Sequence, residues 1–294
     1  MKGAKPQSPG CGFVVNEMLN NIDIKKEERE LFGAFEHCLA RVSDNSFLEL
    51  FAREKIKHSM QVVGAGNYIL KNEKIFQDRS EEYLKLGKLV NLFHDIGRFR
   101  EIECMYEDAS RSYNHGFFSY EMLKERGYSD PRLLLPVKQH GNLADALEKD
   151  VEFQKIGDAG IKKEVEELYG LVKDADKIAN LYIAKTDRRI FKDLFFDGLT
   201  EENKHAPVSA KGLEAMENKC LVKSGDCVSF SDRLLQILCF VFEIYYKPSL
   251  TFVFKHGLLE NIAAVMRIYN PDQSLQNYIE QKIFAHVRSR YEAM

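Results

Sequence analysis

Helical periodicity runs through almost all of this 294-residue chain, and no stretch alternates well enough to make a half-buried strand. A chain patterned this way buries helix stripes against one another, so the expected fold class is all-α, a helical bundle. Helices are expected at roughly 27–42, 46–72, 80–95, 115–127, 131–140, 160–183, 186–196, 231–246, 250–269 and 274–291. Gly97 reads as the stop of the third, and Asn114 as the cap of the next. Asp130-Pro131 fits an N-cap with proline in the first turn. Asn270-Pro271-Asp272 separates the last two.

Hydrophobic residues at 45% and charged residues at 30% describe an ordinary globular protein with a substantial core. A formal charge of −3 supplies no basic face, which excludes duplex nucleic acid as an expected partner. A nucleotide or small phosphate ester needs only local positive charge. The most apolar stretch, 234–246, is too short to span a bilayer and contains Glu243, so it is expected to be a core helix, with no membrane role.

Cysteines 11, 38, 104, 220, 227 and 239 show no CxxC spacing, and residues 1–12 lack the apolar core of a signal peptide. Reduced thiols and a cytoplasmic location are the expectation. The polar segment 197–226 is the candidate boundary. The expected organisation is a tail and helix over 1–45, a ligand-bearing domain over 46–196, and a C-terminal helical extension over 197–294 packed on the same core.

The chemistry concentrates upstream of residue 180. His94-Asp95 closes a helix whose Leu86, Leu89, Val90 and Phe93 face the core. His58 lies on an amphipathic helix with Val62 and Val63 one turn on, His115 opens a helix and His140 closes one. Asp176 has Asn180 on its own face at i, i+4. A lone histidine on an apolar face is usually a hydrogen-bonded core residue, but four of them with two acids are hard to explain that way. Imidazole and carboxylate together suit a divalent transition metal (Mn, Fe, Ni, Co or Zn), whereas an all-oxygen shell suits Mg or Ca. With Asp95 as a bridge, His58, His94, Asp95, His115, His140 and Asp176 form a set for two ions about 3.5–4 Å apart. His37, His205, His256 and His286 have no such context and read as structural or surface residues.

These residues resemble the HD superfamily of metal-dependent phosphohydrolases, whose signature is His, His-Asp and Asp in that order. The carriers are His58 in Lys57-His58-Ser59, His94-Asp95 in Phe93-His94-Asp95-Ile96-Gly97, and Asp176 in Asp174-Ala175-Asp176-Lys177. His115 in Asn114-His115-Gly116 and His140 in Gln139-His140-Gly141 look like the two extra ligands of the binuclear branch. The resemblance covers roughly residues 50–185 and implies an HD-domain helical bundle with additional C-terminal helices. Two departures stand out. Gly141-Asn142 follows His140 where cyclic-di-GMP phosphodiesterases carry paired histidines and a Gly-Tyr-Pro segment. Arg98 stands where related enzymes often have lysine. Asp174 competes with Asp176 for the last ligand position, and the family pattern of Ala-Asp-(Lys/Arg) favours Asp176.

The activity this implies is hydrolysis of a phosphate ester, of a nucleotide or small phosphorylated metabolite, by a hydroxide held between two metals on the side of Asp95. Arg98 is the expected partner of a non-bridging oxygen, with Lys177 and Arg111 as further candidates for binding phosphate. Two rivals use the same ligands: an HD-fold di-iron oxygenase, and a non-catalytic metal-holding sensor. The C-terminal aromatics, Phe230 to Phe254, are expected to be core.

Overall fold

The structure is a computed structural model that describes residues 23–108, 113–143, 145–186 and 194–294. Every regular element among these residues is helical, and none is a strand. α1 (Ile24–Arg41) starts at Asp23, whose carboxylate accepts the Lys25 amide at 3.0 Å. α2 (Ser46–Asn72) starts at Asn45, which caps the Leu48 amide. It buries Leu48, Ala52, Ile56, Val62 and Ile69, a stripe at three- and four-residue spacing. α3 (Glu81–Phe93), α4 (Gly97–Glu107), α5 (His115–Glu125) and α6 (Pro131–Gln139) follow.

α7 (Ala159–Thr186) is the axis of the molecule. Its residues 167–175 are all buried, which is the pattern of a helix surrounded by others. It packs against α2, α3 and α6, and also against the C-terminal helices α9 (Phe230–Cys239), α10 (Lys247–Lys255) and α11 (Leu258–Tyr269). One hydrophobic cluster runs from Leu31 on α1 to Val287 near the C-terminus. The ligand-bearing region and the C-terminal helices therefore share a single core.

Several expected helices end elsewhere, each for a local reason. Gly97 does not close a helix but opens α4, since only the absence of a side chain lets it approach α5. A Cβ there would meet the His115 carbonyl oxygen and the Ser119 amide nitrogen, both at 2.3 Å. The 234–246 stretch is not one helix: α9 ends at Cys239, a 3-10 turn covers Phe240–Glu243, and the chain then extends. The single helix expected at 250–269 is broken at Gly257, whose φ of 58° lies in the left-handed region. The last helix is interrupted by a π-turn at Glu280–Phe284. The helix expected at 186–196 lies partly outside the described residues.

The polar segment 197–226 is less loose than its composition predicts, since it holds a short helical turn, Glu201–His205, and α8 (Ala210–Glu217). It is pinned from α9 by buried Asp232, whose carboxylate accepts the amides of Ser209 (2.8 Å), Val228 (3.1 Å) and Ser229 (3.1 Å). Among the described residues no helix is long and apolar enough to cross a membrane.

The two glycine environments differ sharply, which gives a test of the packing. Gly97→Ala is expected to destabilise the protein by about 1–3 kcal/mol in urea unfolding, because its neighbours are backbone and cannot yield. Gly64→Ala, exposed on α2 with nothing within 4 Å of the new Cβ, is expected to stabilise by about 0.5–1 kcal/mol.

Candidate metal centre

The helix ends do the positioning. His94 follows α3 and His140 follows α6, each at the C-cap. In both, Nδ1 lies within hydrogen-bond distance of the carbonyl three residues earlier: Asn91 at 2.9 Å and Val137 at 2.8 Å. A carbonyl only accepts, so Nδ1 carries the proton and donates it, filling an open carbonyl of the helix end. The other nitrogen, Nε2, is left with its lone pair facing the interior. This is the tautomer a metal ligand needs, set by a neighbouring carbonyl.

The rings gather in a row. His58 and His94 have centroids 5.7 Å apart, His94 and His140 5.1 Å, and His140 and His115 5.1 Å. Asp95 lies beside the row. Its Oδ1 is 3.4 Å from Nε2 of both His115 and His140, while Oδ2 is 3.8 Å from Nε2 of His94. At the His58 end Asp176 completes the group, with Oδ1 at 2.8 Å from His58 Nε2 and 3.0 Å from the Asn180 amide nitrogen. Two overlapping sets of donor atoms, sharing His94, are each close enough to hold an ion: His58, His94 and Asp176, or His94, Asp95 and His140. His115 joins the second through Asp95. All six residues expected as ligands converge.

Fit to a metal can be judged from atoms otherwise without partners. His94 Nε2 and Asp95 Oδ1 are buried and have no hydrogen bond. Burying such groups unpaired costs roughly 1–3 kcal/mol each, and a cation between them would satisfy both. Electrostatics point the same way. Burial lowers the His94 pKa to about 4, and burial with the Arg98 charge holds His115 well below its usual value. Both rings are therefore neutral at physiological pH, as ligation requires. Burial alone would raise the two acids, but the Arg98 guanidinium holds Asp95 well below the carboxylate range, and the hydrogen bond with His58 does the same for Asp176.

Asp174 does different work. Its carboxylate accepts the amides of Tyr245 (2.8 Å) and Tyr246 (2.9 Å) and the Ser249 hydroxyl (2.6 Å), tying α7 to the start of α10. Burial pushes its pKa up to about 6 against those donors. Residues two apart on a helix point in nearly opposite directions, so Asp176 faces His58 while Asp174 faces the C-terminal helices.

The cluster opens into a cleft of about 480 Å³, bordered by Lys55, Arg98 and Asn142 on the side of the ligands. Arg98 Nε stands 3.5 Å from Asp95 Oδ1, and its guanidinium donates to Glu101 at 2.6 Å. Lys177 turns away to Glu243, at 3.2 Å, and is not among the residues lining the cleft. Arg111 lies outside the described residues.

Two contributions escaped the sequence reading. Lys55 lines the cleft one turn before His58, and its signal was only the i, i+3 spacing. The far wall comes from the C-terminal region, from Leu221, Val222, Lys223, Ser224, Gln236 and Phe240. Phe240 is thus partly at the site, although its aromatic neighbours Phe230 and Phe252 pack with the core. Of the remaining histidines, His37 pairs with Glu103, His205 stacks on Tyr269 and His286 contacts Phe242, none of them at the cleft. No protein-family model, no curated protein and no solved structure matches the chain.

The two aspartates on α7 should separate cleanly. Asp176→Ala is expected to lower metal content, measured by plasma mass spectrometry, with a smaller loss of stability than Asp174→Ala, because it strands only His58 and Asn180. Asp174→Ala is expected to lower stability by about 2–4 kcal/mol, because it strands two amides and a hydroxyl, while metal content holds. A pH series gives a second check. Unfolded His94 takes a proton near 6.5 whereas the folded residue resists until about 4, so metal-free protein loses stability as pH falls through that window. Urea midpoints that stay flat across it would contradict a neutral, buried His94.

Proposed function

We propose that this chain is a metal-dependent phosphohydrolase of the HD type. It would hold two divalent transition-metal ions and cleave a phosphate ester of a nucleotide or small phosphorylated metabolite. The observation that carries the reading is the placement of Asp95. One of its oxygens faces His115 and His140 and the other faces His94, so a single carboxylate spans the two halves of the ligand row. A lone structural ion needs neither a second set of donors nor an open cleft beside them.

His58, His94, Asp95 and Asp176 would hold one ion, and Asp95, His115 and His140 the other. When bound, such a pair supplies an activated water at neutral pH and neutralises charge developing on the phosphoryl oxygens. The chain's own groups arrange the rest. The Asn91 and Val137 carbonyls fix the tautomers of His94 and His140. Arg98, locked by Glu101, holds Asp95 Oδ1 from the side and keeps the carboxylate ionised. Asn180 steadies Asp176. The segment Leu221–Ser224 forms the far wall of the cleft beside the cluster.

The reading is tested with a chromogenic phosphate monoester, using protein stripped by chelator and reloaded with Mn. We expect hydrolysis only after reloading, with Arg98→Met lowering kcat/KM on the order of 100-fold. Absence of hydrolysis with any of Mn, Co, Ni or Zn, together with oxygen consumption by the iron-loaded protein, would reject phosphoryl chemistry for the oxygenase alternative.

A further inference from the structure

The resemblance to HD phosphohydrolases singles out Arg98 as the cation for a substrate anion, but the geometry favours a different residue. Asp95 is flanked by two cations, one at each oxygen. Arg98 Nε is 3.5 Å from Oδ1, and Lys55 Nζ is 3.9 Å from Oδ2. Their other partners differ. Arg98 has a second carboxylate, Glu101, at 2.6 Å. Lys55 has one ion pair among the described residues, that with Asp95. Its other close contact among the described residues is the ring of Phe51, 5.4 Å from its centroid, while the Asp176 and Glu101 charges act on it from further off.

Lys55 is also well placed to meet a ligand. The pitch of α2 sets it one turn before His58 on the same face, and its side chain, 19% exposed, lines the cleft. Asp95 is the carboxylate that metals would claim. Once its oxygens and those of Asp176 serve as ligands, Arg98 keeps its close pair with Glu101, whereas Lys55 keeps only the longer-range charge of that same carboxylate next to two divalent cations. A largely desolvated ammonium in that position is costly unless an anion enters beside it.

We infer that Lys55 binds a non-bridging oxygen of the ligand's phosphoryl group, which makes it a catalytic residue. The identity of the anion rests on the phosphohydrolase reading; the need for one does not. Arg98 then orients Asp95 and has less to offer the substrate. A compact ammonium on a flexible stem suits this position, since it can follow the oxygens as the phosphoryl group changes shape.

The test measures binding of inorganic phosphate to metal-loaded protein by calorimetry, beside metal content and hydrolysis of the chromogenic ester. Lys55→Gln is expected to weaken phosphate binding by about 10–100-fold, the loss of one charge-assisted hydrogen bond, with metal content unchanged. Lys55→Arg should keep binding within several-fold. Lys57→Gln, on the same helix but paired with Glu54, should bind phosphate like the wild type. Lys55→Met serves as the neutral variant if the glutamine fails to fold. Unaltered phosphate binding in the neutral variant overturns the assignment, as does loss of its metal, which would make Lys55 a support for Asp95 alone. Failure of the wild type to bind phosphate overturns it too. Lys55-dependent phosphate binding without ester hydrolysis would leave the anion site standing and remove the hydrolase reading.

Discussion

The arrangement depends on what α7 carries through the middle of the protein. Over residues 167–175 this helix has no solvent face on which to place polar groups, and each one it holds there needs a partner. Lys173 donates to the Asn142 carbonyl at 2.8 Å and pairs with Glu243 at 3.3 Å. Asp174 takes its three donors from the start of α10 and the turn before it. Asp176 has His58 and Asn180. Three polar residues within four positions thus hold the turn after His140, the C-terminal helices and the ligand cluster in one register. Breaking such a network at one member strands the others in a low-dielectric interior, so its parts are interdependent.

The site itself uses a simple principle repeated at helix ends. His94 and His140 sit where their helices stop, and His115 sits where α5 begins. A residue at a helix terminus projects into the gap between elements. At the C-cap it can also satisfy a free carbonyl with one ring nitrogen while offering the other. Close approach of α4 to α5, permitted by Gly97, brings His115 up to Asp95. Ser119 bonds both the Gly97 amide (2.9 Å) and the His94 carbonyl (3.0 Å), fastening the His-Asp turn to α5.

Much of this was legible in the sequence, and the limits were physical. The all-α class followed from periodicity, and the candidate donors, which the fold brings together, could be read because histidine at a helix end beside an apolar stripe is unusual. Asp174 and Asp176 could not be separated by pattern alone, since which face a buried helix turns toward a ligand depends on its neighbours. Gly97 looked like a stop because glycine often terminates helices, yet here its missing side chain serves contact between helices. Lys55 was overlooked because a lysine beside Lys57 and Arg53 reads as a solvated face. The break at Gly257 left no trace in the hydrophobic spacing, which continues across it.

The far wall of the cleft hangs from α9, where the Gln236 side chain donates to the Val222 carbonyl at 2.8 Å and reaches the Ser224 hydroxyl at 3.1 Å. Every candidate ligand precedes this wall in the chain. During synthesis the ribosome therefore releases all the candidate donors before the segment that encloses them. Sequence drift at the wall can reshape the entrance without altering a single candidate donor, so the shape of the cleft and the donor set can vary independently.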